Sequence, residues 1–136
     1  MKLLIIDNDE GTVITLKALL TSYENFAIDV AYSGQEGLDK MTAFPNYDVV
    51  LIDIMMPEIS GIELCQMMTK NYKLSKIPVI LMSSAIPMAP DEYSQMLARD
   101  NSLTVIKGVI EKPFIGDELV KKIHQIAFNN HKMKLA

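Results

Sequence analysis

Three short, wholly apolar runs, Leu3–Ile6, Val49–Ile52 and Val79–Met82, each break abruptly into polar residues at their C-terminal ends. They read as strands buried on both faces, because a strand lying half in water alternates apolar with polar residues. Ala27–Ala31 and the β-branched stretch Leu103–Ile110 add two weaker strand candidates. Between the strands the apolar spacing changes to that of amphipathic helices: Val13, Leu16, Leu19 and Leu20; Leu38 with Met41; Ile62, Cys65 and Met68; Leu119, Ile123 and Ile126. A further helix is expected from Pro90, with Asp91 and Glu92 at its positive end, to about Arg99. Five strands alternating with helices imply a doubly wound α/β fold, a parallel sheet with helices on both faces.

Length and composition fit one globular domain. The chain has 136 residues, 49% hydrophobic and 22% charged, enough to bury a core. With no internal repeat or Gly/Ser linker, a domain over residues 1–128 and a detachable polar tail over 129–136 are expected. A net charge of −4 offers no electrostatic footprint for nucleic acid. The single Cys65 cannot form an internal disulfide, and no run approaches the length of a signal-peptide core or a membrane span. A soluble, cytoplasmic protein is the expectation.

In doubly wound sheets the ligand site lies beyond the carboxyl ends of the strands. Those ends here carry Asp7-Asn8-Asp9, Asp53, Ser83-Ser84 and Lys112-Pro113-Phe114. Carboxylates gathered at strand ends repel one another unless a positive group lies between them, and a hard cation with oxygen ligands, Mg²⁺ above all, suits that place. A carboxylate beside such an ion can attack phosphorus and become an aspartyl phosphate. Ser83 would then donate a hydrogen bond to one phosphoryl oxygen and Lys112 would pair with another.

The segments Leu3–Glu10, Asp48–Pro57, Ile77–Ser83 and Lys112–Phe114 together resemble response-regulator receiver domains, in order and in strand context, over roughly Met1 to Ala127. The resemblance implies a flavodoxin-like (βα)5 fold with strand order 2-1-3-4-5. It implies Asp53 as phosphoacceptor, Ser83 as switch hydroxyl and Lys112 as phosphoryl clamp, followed by a proline typically joined through a cis peptide bond. Asp7, Asn8, Asp53 and the backbone carbonyl of Met55 would serve Mg²⁺, and Gly61 matches the glycine of the loop after the acceptor. The protein would be a switch of a two-component phosphorelay and not a conventional enzyme. A histidine kinase or histidine phosphotransfer protein would supply its phosphoryl group and a downstream protein would be its target, the switch itself being a monomer or weak homodimer.

Three departures from the family pattern stand out. Asn8 replaces a carboxylate, which predicts weaker metal binding; it is either a weakened ligand or a turn residue, while Asp9 is expected to begin the first helix. Val109 stands three residues before Lys112, where the family usually has an aromatic. Ser84 to Glu111, 28 residues, is longer than the family's common pattern and predicts an extended loop or fourth helix. Ser84 is open between a functional and a plain strand-end hydroxyl. His124 and His131 are expected on the surface without a chemical task, and most of the ten Met in the core. Asn8 and Val109 also admit a pseudo-receiver that docks partners without phosphorylation. A flavin carrier of the same strand order would need a phosphate-cradling loop after the first strand, where Asp7-Asn8-Asp9-Glu10 would repel phosphate.

Overall fold

The computed structural model describes residues 1–135, Leu135 by its backbone alone. Five strands, β1 (Lys2–Ile6), β2 (Ala27–Ala31), β3 (Val49–Asp53), β4 (Val79–Ser83) and β5 (Ile106–Glu111), form one parallel sheet in the order β2-β1-β3-β4-β5. Five helices lie between and after them: α1 (Glu10–Tyr23), α2 (Gly34–Ala43), α3 (Gly61–Thr69), α4 (Pro90–Ala98) and α5 (Gly116–Leu135). This is the doubly wound architecture expected from the sequence.

Alternation along the strands divides the core in two. Leu4, Ile6, Val50, Ile52, Val79 and Leu81 face α2, α3 and α4, where Met41, Leu64, Cys65, Met68 and Leu97 meet them. Leu3, Ile5, Val49, Leu51, Ile80 and Met82 face α1 and α5, against Val13, Leu16, Leu20, Leu119 and Ile123. Both faces of β1, β3 and β4 are therefore covered, which is why those runs carry no polar residue until they reach the sheet's edge. A fully buried Leu or Ile of this kind contributes roughly 2 kcal/mol relative to exposure.

The helix starts follow local chemistry. Asp9 caps α1 by accepting from the Gly11 N–H, and Ser33 caps α2 by accepting from the Glu36 N–H. Ser60 and Glu63 form a reciprocal capping box at the start of α3. Pro90 occupies the first turn of α4.

Several expectations need correction. The fifth strand does not begin at Leu103: Asn101–Leu103 form a 3-10 turn and β5 starts at Ile106. Leu103 is buried within the 3-10 turn, while Val105, also buried, sits just before β5 and its carbonyl accepts a 2.9 Å hydrogen bond from the Val79 N–H of β4. The long Ser84–Glu111 segment does not lengthen α4, which has nine residues; the extra chain lies in the loop before that helix and in the 3-10 turn after it. From Asn129 onward the expected polar tail instead continues α5 as far as Leu135, since no Gly or Pro interrupts it. Of the methionines, Met41, Met56, Met68 and Met82 are buried, whereas Met1, Met55, Met67, Met96 and Met133 are exposed. The adjacent pairs Met55-Met56 and Met67-Met68 each place one side chain inside and one outside.

Candidate functional site

Strand register assembles the site. Ile6 pairs with Ile52, so Asp7, one residue beyond β1, lies beside Asp53 at the end of β3. Asp53 pairs with Met82, which places Ser83 one step further along the neighbouring strand. Ser83 in turn pairs with Glu111, and its carbonyl accepts a 2.8 Å hydrogen bond from the Lys112 N–H. Four residues far apart in sequence thus reach one rim because each ends a strand or follows it directly.

The Lys112 ammonium bridges the two carboxylates, 3.0 Å from Asp7 Oδ2 and 2.9 Å from Asp53 Oδ1. Asp7 is only 1% exposed and Asp53 7%; two buried carboxylates this close need such a cation. Burial pushes the Asp53 carboxyl above its ordinary value; the hydrogen bond from Lys112 opposes that shift and the charge of Asp7 adds to it. For Lys112, burial acts to lower the pKa, but hydrogen bonds and charge from Asp53 and Asp7 outweigh it and the ammonium is held above 10.5. The second Asp7 oxygen, Oδ1, accepts a 3.0 Å hydrogen bond from the Asp9 N–H. Asp9 itself serves the helix, as expected: the Thr12 hydroxyl, at 2.8 Å, and the Gly11 N–H hold its carboxyl below the usual range. That the backbone of Asp9 also steadies Asp7 is a contribution no residue type in the sequence announces.

Of the two serines at the end of β4, Ser83, its last residue, is buried and Ser84, the next, is exposed. The Ser83 hydroxyl accepts a 3.1 Å hydrogen bond from the Ala85 N–H, which ties the strand end to the following loop. Asn8 is exposed. The Met55 side chain is 74% exposed. Val109 is buried on the sheet face covered by α4, among Leu81, Leu97 and Val105, with Tyr93 of α4 packed against the same cluster. The Lys112–Pro113 peptide bond is cis.

The loop after Asp53 is tightly made. A Cβ on Gly61 would sit 2.4 Å from the Asp53 carbonyl oxygen and 2.8 Å from Ile54 Cα, closer than any side chain allows; the Gly61 N–H donates to the Ile54 carbonyl at 2.9 Å. Glu58 has φ 67, and the Ile59 N–H donates across it to the Pro57 carbonyl at 2.8 Å. A left-handed non-glycine residue stores strain next to the acidic site. The sequence signals Gly61 but not Glu58, whose residue type gives no hint of this conformation.

His124 pairs with Glu24 and lies 6.0 Å from the Phe26 ring, joining α5 to the end of α1; His131 is exposed. Both lie away from the strand-end site. Among the described residues no group of three or more His, Cys, Asp or Glu is arranged to hold a metal. The donors expected here are nonetheless all oxygens: the carboxylates of Asp7 and Asp53, which Lys112 brings together, and the side-chain oxygen of Asn8 and backbone carbonyl of Met55, which follow them closely in sequence. That set suits a hard divalent ion such as Mg²⁺, with one carboxylate fewer than three acidic ligands would give.

Comparison with known proteins agrees with this geometry. The family model described as response regulator receiver domain matches residues 3–124. The chain is 30% identical over 125 residues to the response regulator ArlR of Staphylococcus aureus (strain Mu50 / ATCC 700699), covering 92% of this chain and 52% of that protein. It is 29% identical over 124 residues to the ArlR of Staphylococcus haemolyticus (strain JCSC1435), covering 91% and 51%. The chain therefore spans about half the length of these curated relatives. Among solved structures, the Francisella response regulator 1452 receiver domain superimposes with a TM-score of 0.74 at 26% identity, over 94% of this chain and 97% of that one. A CheY-like receiver domain protein from Methanospirillum hungatei JF-1 gives a TM-score of 0.77 at 24% identity over 97% of both chains, a likeness of fold. With the strand order, the family model and these relatives in agreement, the chain belongs to the response regulator receiver domain family, the signalling switches of two-component systems.

Proposed function

We propose that the chain is a phosphoacceptor switch in which Asp53 takes a phosphoryl group from the phosphohistidine of a histidine kinase or histidine phosphotransfer protein, or from a small phosphodonor. The observation that carries the reading is the Lys112 ammonium lying between Asp7 and Asp53 at the carboxyl end of the sheet. An Asp53 oxygen attacks phosphorus, the bond from phosphorus to the donor breaks, and the donor leaves with the electron pair. Lys112 is already within reach of Asp53 and would pair with a phosphoryl oxygen of the product. Ser83, at the end of the next strand, would exchange its Ala85 contact for another phosphoryl oxygen and draw the loop before α4 with it. Water attack on the acyl phosphate restores Asp53, so the switch resets without a separate active site.

Asp7, Asn8, Asp53 and the Met55 carbonyl would hold Mg²⁺ in this reading. A bound Mg²⁺ supplies positive charge for the phosphoryl oxygens. The switching body is residues 1–128, its output is contact with a protein target, and it works in the cytoplasm as a monomer or weak homodimer. Among the described residues no helix is long and apolar enough to cross a membrane. Asn8, exposed and uncharged, favours a second reading, a receiver that docks partners without phosphorylation.

Treatment with phosphoramidate and Mg²⁺, followed by neutral hydroxylamine, separates the two. A hydroxylamine-labile phosphoryl group on the peptide containing Asp53 is the expected result; a stable modification, or one on another residue, contradicts it.

A further inference from the structure

The pole of the molecule opposite Asp53 carries a second cleft. Its walls come from Pro78 at the start of β4, Lys76 just before it, Lys107 near the start of β5, and Asn130, Met133 and Lys134 in the last turns of α5, around a volume of about 560 Å³. The strands are parallel and Asp53 ends one of them, so this cleft lies at their other end. It exists because α5 runs past the sheet; the Asn130 amide fixes that overhang by donating to the Lys76 carbonyl at 3.3 Å.

The chemistry of the cleft is one-sided. Lys76, Lys107 and Lys134 are exposed, and among the described residues none of them lies in an ion pair with a carboxylate. Among the described residues no acidic side chain lines the cleft, although the chain as a whole carries a net charge of −4. Three like charges gathered without a counter-charge cost stability and suit a negatively charged occupant. The rest of the lining is mixed, polar at Ser75 and Asn130 and apolar at Ile77, Pro78 and Met133, the last 70% exposed. Arginine, which grips phosphate in a bidentate fork, and aromatic rings, on which bases stack, are both missing from the lining. Those features favour a polypeptide over a nucleic acid.

We infer that this cleft is a docking site for an acidic protein segment, Asp or Glu side chains meeting the three lysines and one apolar side chain packing on Met133 and Pro78. Being remote from Asp53, it holds its partner in either phosphorylation state and acts as a tether, whatever the chemistry at the other pole. Binding at this site is independent of the phosphoacceptor reading and is measured without any phosphodonor.

The test uses the full chain and a fluorescein-labelled dodecapeptide built from Glu and Leu, followed by fluorescence anisotropy at low salt and by amide chemical shifts. Saturable binding is expected, with shifts confined to residues 75–78, 107 and 130–134. Affinity should fall about tenfold in the triple variant Lys76→Glu, Lys107→Glu, Lys134→Glu, and by less in Lys107→Gln alone, which keeps the fold under the mildest change. Replacing Leu by Ser in the peptide should weaken binding by several-fold. Absence of saturable binding, equal affinity for the triple variant, or shifts at the Asp53 end overturns the inference. So does tighter binding of oligo-dT or of phosphatidylglycerol vesicles, which would make the cleft a site for other anions.

Discussion

At the scale of single residues, Asp53 stands under opposed demands. Its carboxyl is buried and close to Asp7, and it is held above the ordinary value of 3.8. The folded protein therefore binds its proton to a higher pH than the unfolded chain does, and the stability linked to this group falls as pH rises through that window. Asp53→Asn removes the ionisation while keeping the shape, so the variant should be more stable than the wild type at pH 7 by roughly 0.5–1 kcal/mol. Thermal melts of the two should converge below about pH 4. Lys112 has the opposite sign: its folded pKa lies above 10.5, so the stability it lends is complete through neutral pH and is lost only in strong alkali. Asn8 is the other residue on which the proposed Mg²⁺ site turns. Asn8→Asp restores a carboxylate to the rim and should tighten Mg²⁺ binding by about tenfold, which a titration followed by intrinsic tyrosine fluorescence or calorimetry will read; unchanged affinity would place residue 8 outside the metal site.

Secondary-structure elements show which parts of the fold a sequence announces. The strands buried on both faces, β1, β3 and β4, were legible because their covered surfaces leave continuous apolar runs. The helices α1 and α3 were legible from apolar spacing; the capping box of Ser60 and Glu63 that starts α3 was seen only in the structure. Where an apolar residue is buried in a turn and not in a strand, as at Leu103, the same signal misplaced the start of β5. The end of α5 was hidden for the converse reason: Asn129 to Lys134 are polar or exposed, and a helix overhanging its sheet has no apolar stripe to show. The four strand-end residues of the site were legible by type; the strain at Glu58 and the tie from Ala85 to Ser83 are backbone properties and were not. The β3–α3 loop gives a direct check. Gly61→Ala brings a Cβ to 2.4 Å from the Asp53 carbonyl, so it should cost about 2 kcal/mol and disturb Asp53 itself. Urea denaturation will measure the loss.

Across the whole molecule, the parallel sheet separates two kinds of work. All C-terminal strand ends gather at one pole, where Asp7, Asp53, Ser83 and Lys112 meet; the other pole holds the lysine-lined cleft under α5. In the proposed switch, a change at Asp53 would leave through the loop from Ser84 to Ala89, which leads from the neighbouring strand end into α4. With Val109 buried beneath α4 and Tyr93 packed against the same cluster, the proposed switch would respond by repacking α4 and not by the swing of an aromatic on β5.

The central claim is that Asp53 accepts the phosphoryl group, and intact-mass spectrometry tests it most directly. Wild-type protein incubated with acetyl phosphate and Mg²⁺ should gain one phosphoryl group, and Asp53→Asn, or wild type with EDTA, should gain none. Equal gain by Asp53→Asn would contradict the account.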